Sequence, residues 1–227
     1  MKKTTFAGLI LVGVAVTTFA QERFVRPADD AKSDASFLAF RTKLIAAAER
    51  KDANAILAIV DPNIKNGFGG EDGIAKFRRG WKLTNKNSEF WKEFLPVIKN
   101  GGGFSKEGNN TKMFVAPYTF SDWPDDLDVF EYHVIFGNNV NLRDRPSMDG
   151  KVIGSLSYNV VKMGEGSTTR RTGPGEFDLE SDWFNVKTLG GKEGFVKAEF
   201  VRSGIDYRAG FEKKRGVWKM TFFLAGD

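Results

Sequence analysis

The chain of 227 residues has no cysteine and a single histidine. Those two absences remove several chemistries at once: disulfide scaffolds, thiol nucleophiles, cysteine-built zinc sites and multi-histidine metal centres cannot be assembled from this inventory. No metal and no cofactor is therefore expected. Long hydrophobic runs are missing too. Nothing after residue 20 approaches a membrane-spanning length, so no stable transmembrane insertion is expected beyond that point. Charge of one sign is also scarce in blocks. The 34 Lys+Arg exceed the 29 Asp+Glu by a small margin, with no run of five like charges and no basic stripe interleaved with aromatics. No nucleic-acid partner is expected from such a pattern.

What is present is apolar and aromatic material. The residues AVILMFWYC make up 41% of the chain and include 21 Phe and 5 Trp, which suits one or two modest domains. The first 20 residues read differently from the rest. Lys2 and Lys3 form a basic start, Phe6 to Val16 is largely apolar, and Thr18-Phe19-Ala20 is a small-x-small boundary before Gln21. This is the pattern of a secretory signal. It places the chain outside the cytoplasm, secreted or periplasmic, where the lack of free thiols is no handicap.

Residues 21–33 are polar and contain Pro27, and read as a flexible leader. A helix is predicted from about Asp34, its cap, to Arg50, with Phe37, Phe40, Leu44 and Ala48 on one stripe. A second is predicted near Asp52–Val60, a third from Glu71 to about Leu83 around Ile74, Phe77 and Trp81, and a fourth over Ser88–Val97. Gly67-Phe68-Gly69-Gly70 is a turn that lacks the Lys-Ser/Thr ending of a phosphate loop. After Gly101-Gly102-Gly103 the period shortens to about two. Strands are predicted at Lys112–Tyr118 and Asp128–Phe136, the latter placing His133 on its more polar face.

From Val134 to Arg202 the chain is a string of short strands separated by turn residues. Val140-Asn141-Leu142-Arg143, Arg145-Pro146-Ser147, Val152-Ile153-Gly154, Trp183-Phe184 with Val186, and Gly194-Phe195-Val196 follow one another in an order that resembles a bacterial SH3-like (SH3b) domain. The resemblance implies a small closed β-barrel, which would hide its strand edges. Glu165–Ser181 is a long insertion in that pattern, readable as a loop beside a groove or as a tolerated excursion. In that family such domains bind peptides or peptidoglycan of the bacterial envelope. The implied ligand contacts are Arg143, Asp144, Arg145 and Tyr158, with Trp183 nearby; Trp183 reads equally well as core, and Arg143 as a surface ion pair.

The last residues, Tyr207–Lys213 and Val217–Leu224, form a hairpin around Lys214-Arg215-Gly216. Trp218, Met220, Phe222 and Leu224 share one face, too much aromatic surface for an isolated hairpin. It needs either the section before the barrel or the barrel itself as its cover. The first arrangement gives an α+β fold: a helical and antiparallel-sheet domain of 34–133 plus 203–227 with a barrel of 134–202 inserted. That α+β part loosely resembles the cone-shaped fold of ketosteroid isomerase and its relatives, in which a pocket lies among aromatics. Asp52, Asp61, Tyr132 and His133 are the conceivable acid/base groups there, yet no pair has a spacing that requires such chemistry. Asp52 and Asp61 read better as helix-boundary residues, and no residue is assigned a catalytic role. A pocket would be sought around Trp81, Trp91 and Tyr132. The functional expectation is an exported, non-enzymatic protein recognising peptidoglycan or an envelope peptide or protein. The alternative is a small-molecule-binding or enzymatic α+β domain that the SH3-like module positions, and a third reading makes the hairpin or barrel face an oligomer interface.

Overall fold

A computed structural model describes residues 21–70, 72–107, 111–166, 171–173, 176–177 and 182–226. The segment read as a secretory signal lies outside them, as does most of the 165–181 insertion. The α+β character holds. The chain builds helices α1 (Ala35–Glu49), α2 (Ala53–Ile59), α3 (Ile74–Gly80), α4 (Glu89–Lys99) and α5 (Tyr118–Ser121), and two larger sheets.

The first sheet contains β1 (Val60–Lys65), β2 (Gly103–Glu107), β3 (Thr111–Ala116), β13 (Arg208–Lys214) and β14 (Val217–Leu224), in the order β1-β14-β13-β3-β2. The C-terminal hairpin is thus covered by the section before residue 133: β13 pairs antiparallel with β3, and β14 pairs parallel with β1. Helices α1 and α4 start where short side chains can accept from the first turn. The Asp34 carboxylate accepts from the N–H groups of Ser36 and Phe37, and the Ser88 hydroxyl from that of Phe90. The core between helices and sheet is filled by rings. Phe37 lies 4.1 Å from Phe114 and 4.9 Å from Trp218 between ring centroids, and Phe90 stacks on Phe94 at 4.7 Å. The cone-fold likeness, argued from helices followed by an antiparallel sheet, is corrected here, because the sheet is mixed, with β1 and β14 parallel.

Three local differences have physical causes. Strand β1 was not foreseen, since Pro62 cannot donate to a ladder and belongs on an edge; β1 is that edge. In the hairpin, Gly210 faces Phe222 while Phe211 faces Met220, so Thr221 is an extra residue. The bulge reverses the alternation, and Phe223 becomes fully buried where Phe222 was expected. The strand expected at Asp128–Phe136 shortens to β4 (Tyr132–Ile135). Asp128 begins a turn instead, accepting from the Phe130 N–H through its side chain and from the Tyr132 N–H through its carbonyl.

The second sheet also contains β5 (Val140–Arg143), β6 (Val152–Leu156), β7 (Val160–Met163), β10 (Trp183–Thr188), β11 (Glu193–Lys197) and β12 (Val201–Arg202). Its order is β12-β4-β7-β10-β11-β5-β6, antiparallel throughout. The SH3-like barrel expected over 134–202 is corrected by this topology. The sheet is open, with β12 and β6 as its two edges, and no pairing joins them among the described residues. Short strands between turn residues specify local hairpins but not whether the outer edges meet. Here β4 takes both β7 and β12 as neighbours, and β6 is left at the far side. Within the insertion, β8 (Arg171–Gly173) and β9 (Glu176–Phe177) pair with each other as a separate two-stranded sheet.

Residues 21–33, expected as a flexible leader, run along both sheets. Val25 donates to the carbonyl of Tyr158, Val160 donates to that of Arg23, and Gly102 donates to that of Ala28. Val25 and Ala31 are buried. Arg41 in α1 holds Asp29 through two hydrogen bonds of 2.7 and 2.6 Å.

Candidate functional site

A cleft of about 560 Å³ opens where the end of α3, the turn into α4 and the approach to β13 meet. Its aromatic side is Trp81 and Tyr207, both half-buried, over a floor of fully buried Phe77. Its polar side carries Asn66, Asn85, Asn87 and Lys82, with Glu89 at the start of α4.

The turn that displays these groups is fixed at several points. Trp81 is the C-cap of α3 and donates its N–H to the Phe77 carbonyl. Lys82 adopts a left-handed conformation (φ 47°), which turns the chain out of the helix, and Leu83 is buried directly after it. Asn85 then organises the rest. Its side-chain oxygen accepts from the Asn87 N–H at 2.9 Å, its carbonyl from the Trp91 indole at 3.1 Å, and its own N–H donates to the Lys82 carbonyl at 2.8 Å. The Ser88 hydroxyl donates to the Trp81 carbonyl, closing the turn on itself. A pair of lysines ties the turn to the end of α1. Lys51 donates to the Lys86 carbonyl and Lys86 to the Lys51 carbonyl, each at 2.7 Å. Lys86 also donates to the carbonyl of Arg50, the C-cap of α1, at 3.2 Å, so carbonyls at and just past that helix end gain partners.

Tyr207 comes from far along the chain. It stacks on Phe223 of β14 (5.1 Å between centroids, 22° between planes) and meets Trp81 edge-on (5.2 Å, 61°). Two aromatic rings therefore meet at an angle where both line the cleft, whose lining also includes Asn66, Asn85 and Asn87.

The residues singled out from the sequence are distributed elsewhere. Arg143 donates to the Gly150 carbonyl at 2.6 Å, Arg145 to the Asp149 carbonyl at 2.9 Å, and the Asp144 carboxylate accepts from the Lys151 N–H at 2.8 Å. All three are thus engaged within the β5–β6 connection. Tyr158 sits at the other end of β6, in a left-handed turn (φ 60°), half-buried against Val25, Leu127 and Val134. Trp183 is buried in β10. None of the five lines the cleft at Trp81, and the structure does not bring Tyr158 together with the Arg143–Arg145 stretch. Of the pocket aromatics, Trp81 lines the cleft, Trp91 is buried behind it and anchors Asn85, and Tyr132 lies in the second sheet beside Lys162.

The conceivable acid/base groups are also placed. Asp52 caps α2 by accepting from the Ala55 N–H. Asp61 is buried in β1 and paired with Lys214 at 2.8 Å; burial pushes its carboxyl up, but the Lys214 hydrogen bond and the Asn63 N–H outweigh that and hold it below the usual range. His133 has its Nδ1 buried without a partner, and burial pulls the imidazole below its ordinary value against the opposing charge of Asp206. At the junction of the two sheets, Glu93 of α4 meets Arg202 of β12 at 3.4 Å. Burial pushes the Glu93 carboxyl up, and the Arg202 charge only partly offsets it. No group of three or more metal-ligating His, Cys, Asp or Glu side chains occurs among the described residues. No helix there is long and apolar enough to cross a membrane.

Comparison with protein-family models, with curated proteins and with solved structures found no match to this chain.

Proposed function

We propose that the protein is an exported binding protein that takes a small organic ligand in the Trp81–Tyr207 cleft, with peptidoglycan fragments the first class to test. The observation that carries this reading is the cleft itself. Its volume, about 560 Å³, lies within the span of small-molecule sites, roughly 300–1,000 Å³. Like those sites it sets aromatic surface against a few convergent polar groups. Export is supported by Lys2-Lys3, the apolar stretch after them and the Thr18-Phe19-Ala20 boundary.

Binding is favoured over catalysis by the character of the lining. Glu89 is the one carboxylate among the described lining residues, and it lies 3.7 Å from Lys92. His133 is on the second sheet, away from the lining residues. Neither a pair of carboxylates nor a base with an adjacent nucleophile occurs among the described lining residues.

Chemical-shift mapping of the isotopically labelled protein against solubilised muropeptides tests the reading. The side-chain amides of Asn85 and Asn87 and the Trp81 indole should move together and saturably. Shifts confined to Arg143–Arg145 would relocate the site to the second sheet, and an unchanged spectrum would remove the proposal.

A further inference from the structure

We infer that this cleft recognises the saccharide part of its ligand, a chain of pyranose rings, through the Trp81 and Tyr207 rings and the amides of Asn85 and Asn87; the inference rests on the binding role proposed for the cleft.

The first argument is the hydrogen-bonding character of the wall. A sugar hydroxyl donates one hydrogen bond and accepts others, and an Asn amide likewise offers both functions at one side chain. The side-chain amide of Asn87 and the Nδ2 of Asn85 make no hydrogen bond to other described residues. Both stay presented because the turn is held by other groups: the Asn85 oxygens accept from the Asn87 N–H and the Trp91 indole, and Ser88 closes on Trp81. The Asn85 side chain, held through its oxygen, loses little freedom on binding, the usual advantage of a preorganised site, while Asn87 rides on a fixed backbone.

The second argument is shape. A pyranose ring has an apolar face of axial C–H groups and an equatorial rim of hydroxyls. It needs an aromatic surface under the face and polar groups around the rim. Trp81 and Tyr207 are half-buried and both line the cleft; one Tyr207 face is taken by Phe223, so the apolar support for a sugar ring comes from the parts of the two rings left exposed.

The third argument is what the cleft lacks for other ligand classes. Strand addition by a peptide needs an open sheet edge. The neighbouring edge strand is β1, and its outer side is engaged where Gly73 donates to the Ile64 carbonyl at 2.8 Å. A nucleotide or polyanion needs a concentration of Arg and N–H groups. The charged side chains on this wall are Lys76, Lys82 and the opposing Glu89, and the adjacent Gly67–Gly70 stretch lacks a phosphate-loop ending.

Titration of the full chain with chitotetraose, cellotetraose and the stem peptide L-Ala-D-Glu-L-Lys, read by tryptophan fluorescence and calorimetry, decides the matter. The expected result is saturable binding of a tetrasaccharide. Asn87→Ala should weaken it about fivefold, the loss of one hydrogen bond near 1 kcal/mol, and Trp81→Leu more than tenfold. Asn87 is exposed at its turn, so its variant keeps the test valid even if Trp81→Leu folds poorly. Preference between the two tetrasaccharides separates an N-acetylated glycan from a plain glucan, and binding of either sustains the inference. Binding of the stem peptide alone, lost in Trp81→Leu, would overturn the saccharide assignment while leaving the cleft as a ligand site. Absence of all binding up to about 10 mM, a free energy weaker than about −3 kcal/mol, or tetrasaccharide binding unaffected by both variants, would overturn the saccharide assignment and the cleft reading together.

Discussion

Trp81 at the end of α3 meets Tyr207 before β13 edge-on, with ring centroids 5.2 Å apart. The contact joins the end of α3 to the approach to the C-terminal hairpin, along one side of the proposed site. Trp81 also packs on Phe90 at 5.6 Å and Phe223 at 5.2 Å, so the rings form one cluster. A double-mutant cycle of Trp81→Leu and Tyr207→Leu, followed by urea unfolding, should give a coupling of about 1 kcal/mol, the usual worth of an aromatic pair beyond its buried area. Additive effects would show that the two rings contribute separately.

Two glycines are fixed by close packing. A Cβ on Gly102, whose φ is +143°, would lie 2.1 Å from the Val115 carbonyl oxygen. That oxygen is backbone in the first sheet and cannot swing aside. A Cβ on Gly210 would lie 2.2 Å from the Phe222 ring, which is half-buried and can rotate. Gly102→Ala should therefore cost more than Gly210→Ala: roughly 3 kcal/mol against 1–2 kcal/mol, in the range of overpacking and forced positive φ. Midpoints of guanidinium unfolding would rank the two, and the reverse order would contradict the geometry.

The ion pair of Asp61 and Lys214 predicts a pH dependence. Asp61 is 7% exposed at its side chain and Lys214 is 46% exposed, 2.8 Å apart. The folded carboxyl sits below its ordinary value because the Lys214 and Asn63 hydrogen bonds overcome its burial. Its contribution to stability is complete above the unfolded value of about 3.9, and it is lost as pH falls through the lower folded value. Asp61→Asn should be less stable than the parent at pH 7 by about 1 kcal/mol, a modest figure because the exposed lysine is screened. The gap should close below about pH 4. A gap that widens on acidification would reverse the assigned sign.

Legibility varied with the kind of signal. Helices α1 and α4 were readable because Asp34 and Ser88 cap them and their apolar residues recur at three and four. Strand β1 was not, since Val60–Lys65 contains Pro62 and no alternation, and parallel pairing with β14 depends on a partner far along the chain. The bulge at Thr221 has no local mark, so the face of Phe223 was misassigned. In the second sheet the individual strands were visible but its openness was not, because closure depends on which strand the edges meet rather than on any one segment. Of the proposed site only Trp81 was named in advance. Asn85 and Asn87 look like ordinary turn residues, and Tyr207 reaches the cleft only because β13 and β14 join the first sheet.

His133 predicts a pH effect in a higher window. Its Nδ1 is buried without a partner, and burial lowers its pKa, with Asp206 opposing. The fold therefore favours the neutral imidazole. The contribution is complete above the unfolded value of about 6.5 and is lost as pH falls through the lower folded value. Glu93 has the opposite sign: burial raises its carboxyl, so its contribution is complete below the unfolded value of about 4.3 and is lost as pH rises through the folded one. Between pH 7.5 and 5 the melting temperature of the parent should fall relative to His133→Gln, whose side chain does not titrate. Parallel curves for the two proteins would mean that the imidazole is solvated in the folded chain.

The segment before α1 gives the last prediction. Glu22 accepts from the Thr188 hydroxyl at 2.7 Å and from the Asn159 side-chain amide at 3.1 Å, while Val25 packs against Tyr118, Val134 and Val160. Farther on, Asp29 accepts from Arg41, and the Asp30 N–H donates to the Gly102 carbonyl at 2.9 Å. These contacts touch both sheets, so the segment should act as a strap between them. Glu22→Ala should cost about 1 kcal/mol, two hydrogen bonds to a partly buried carboxylate with some loss to water. Val25→Ala should cost about 1–2 kcal/mol through lost apolar burial. A chain beginning at Asp34 should lose both contributions and the Asp29–Arg41 pair, and should show amide exchange accelerated at Val160 and Gly102, whose N–H groups bond the segment. Unchanged exchange at both amides in the truncated chain would show that the segment lies on the surface without stabilising either sheet.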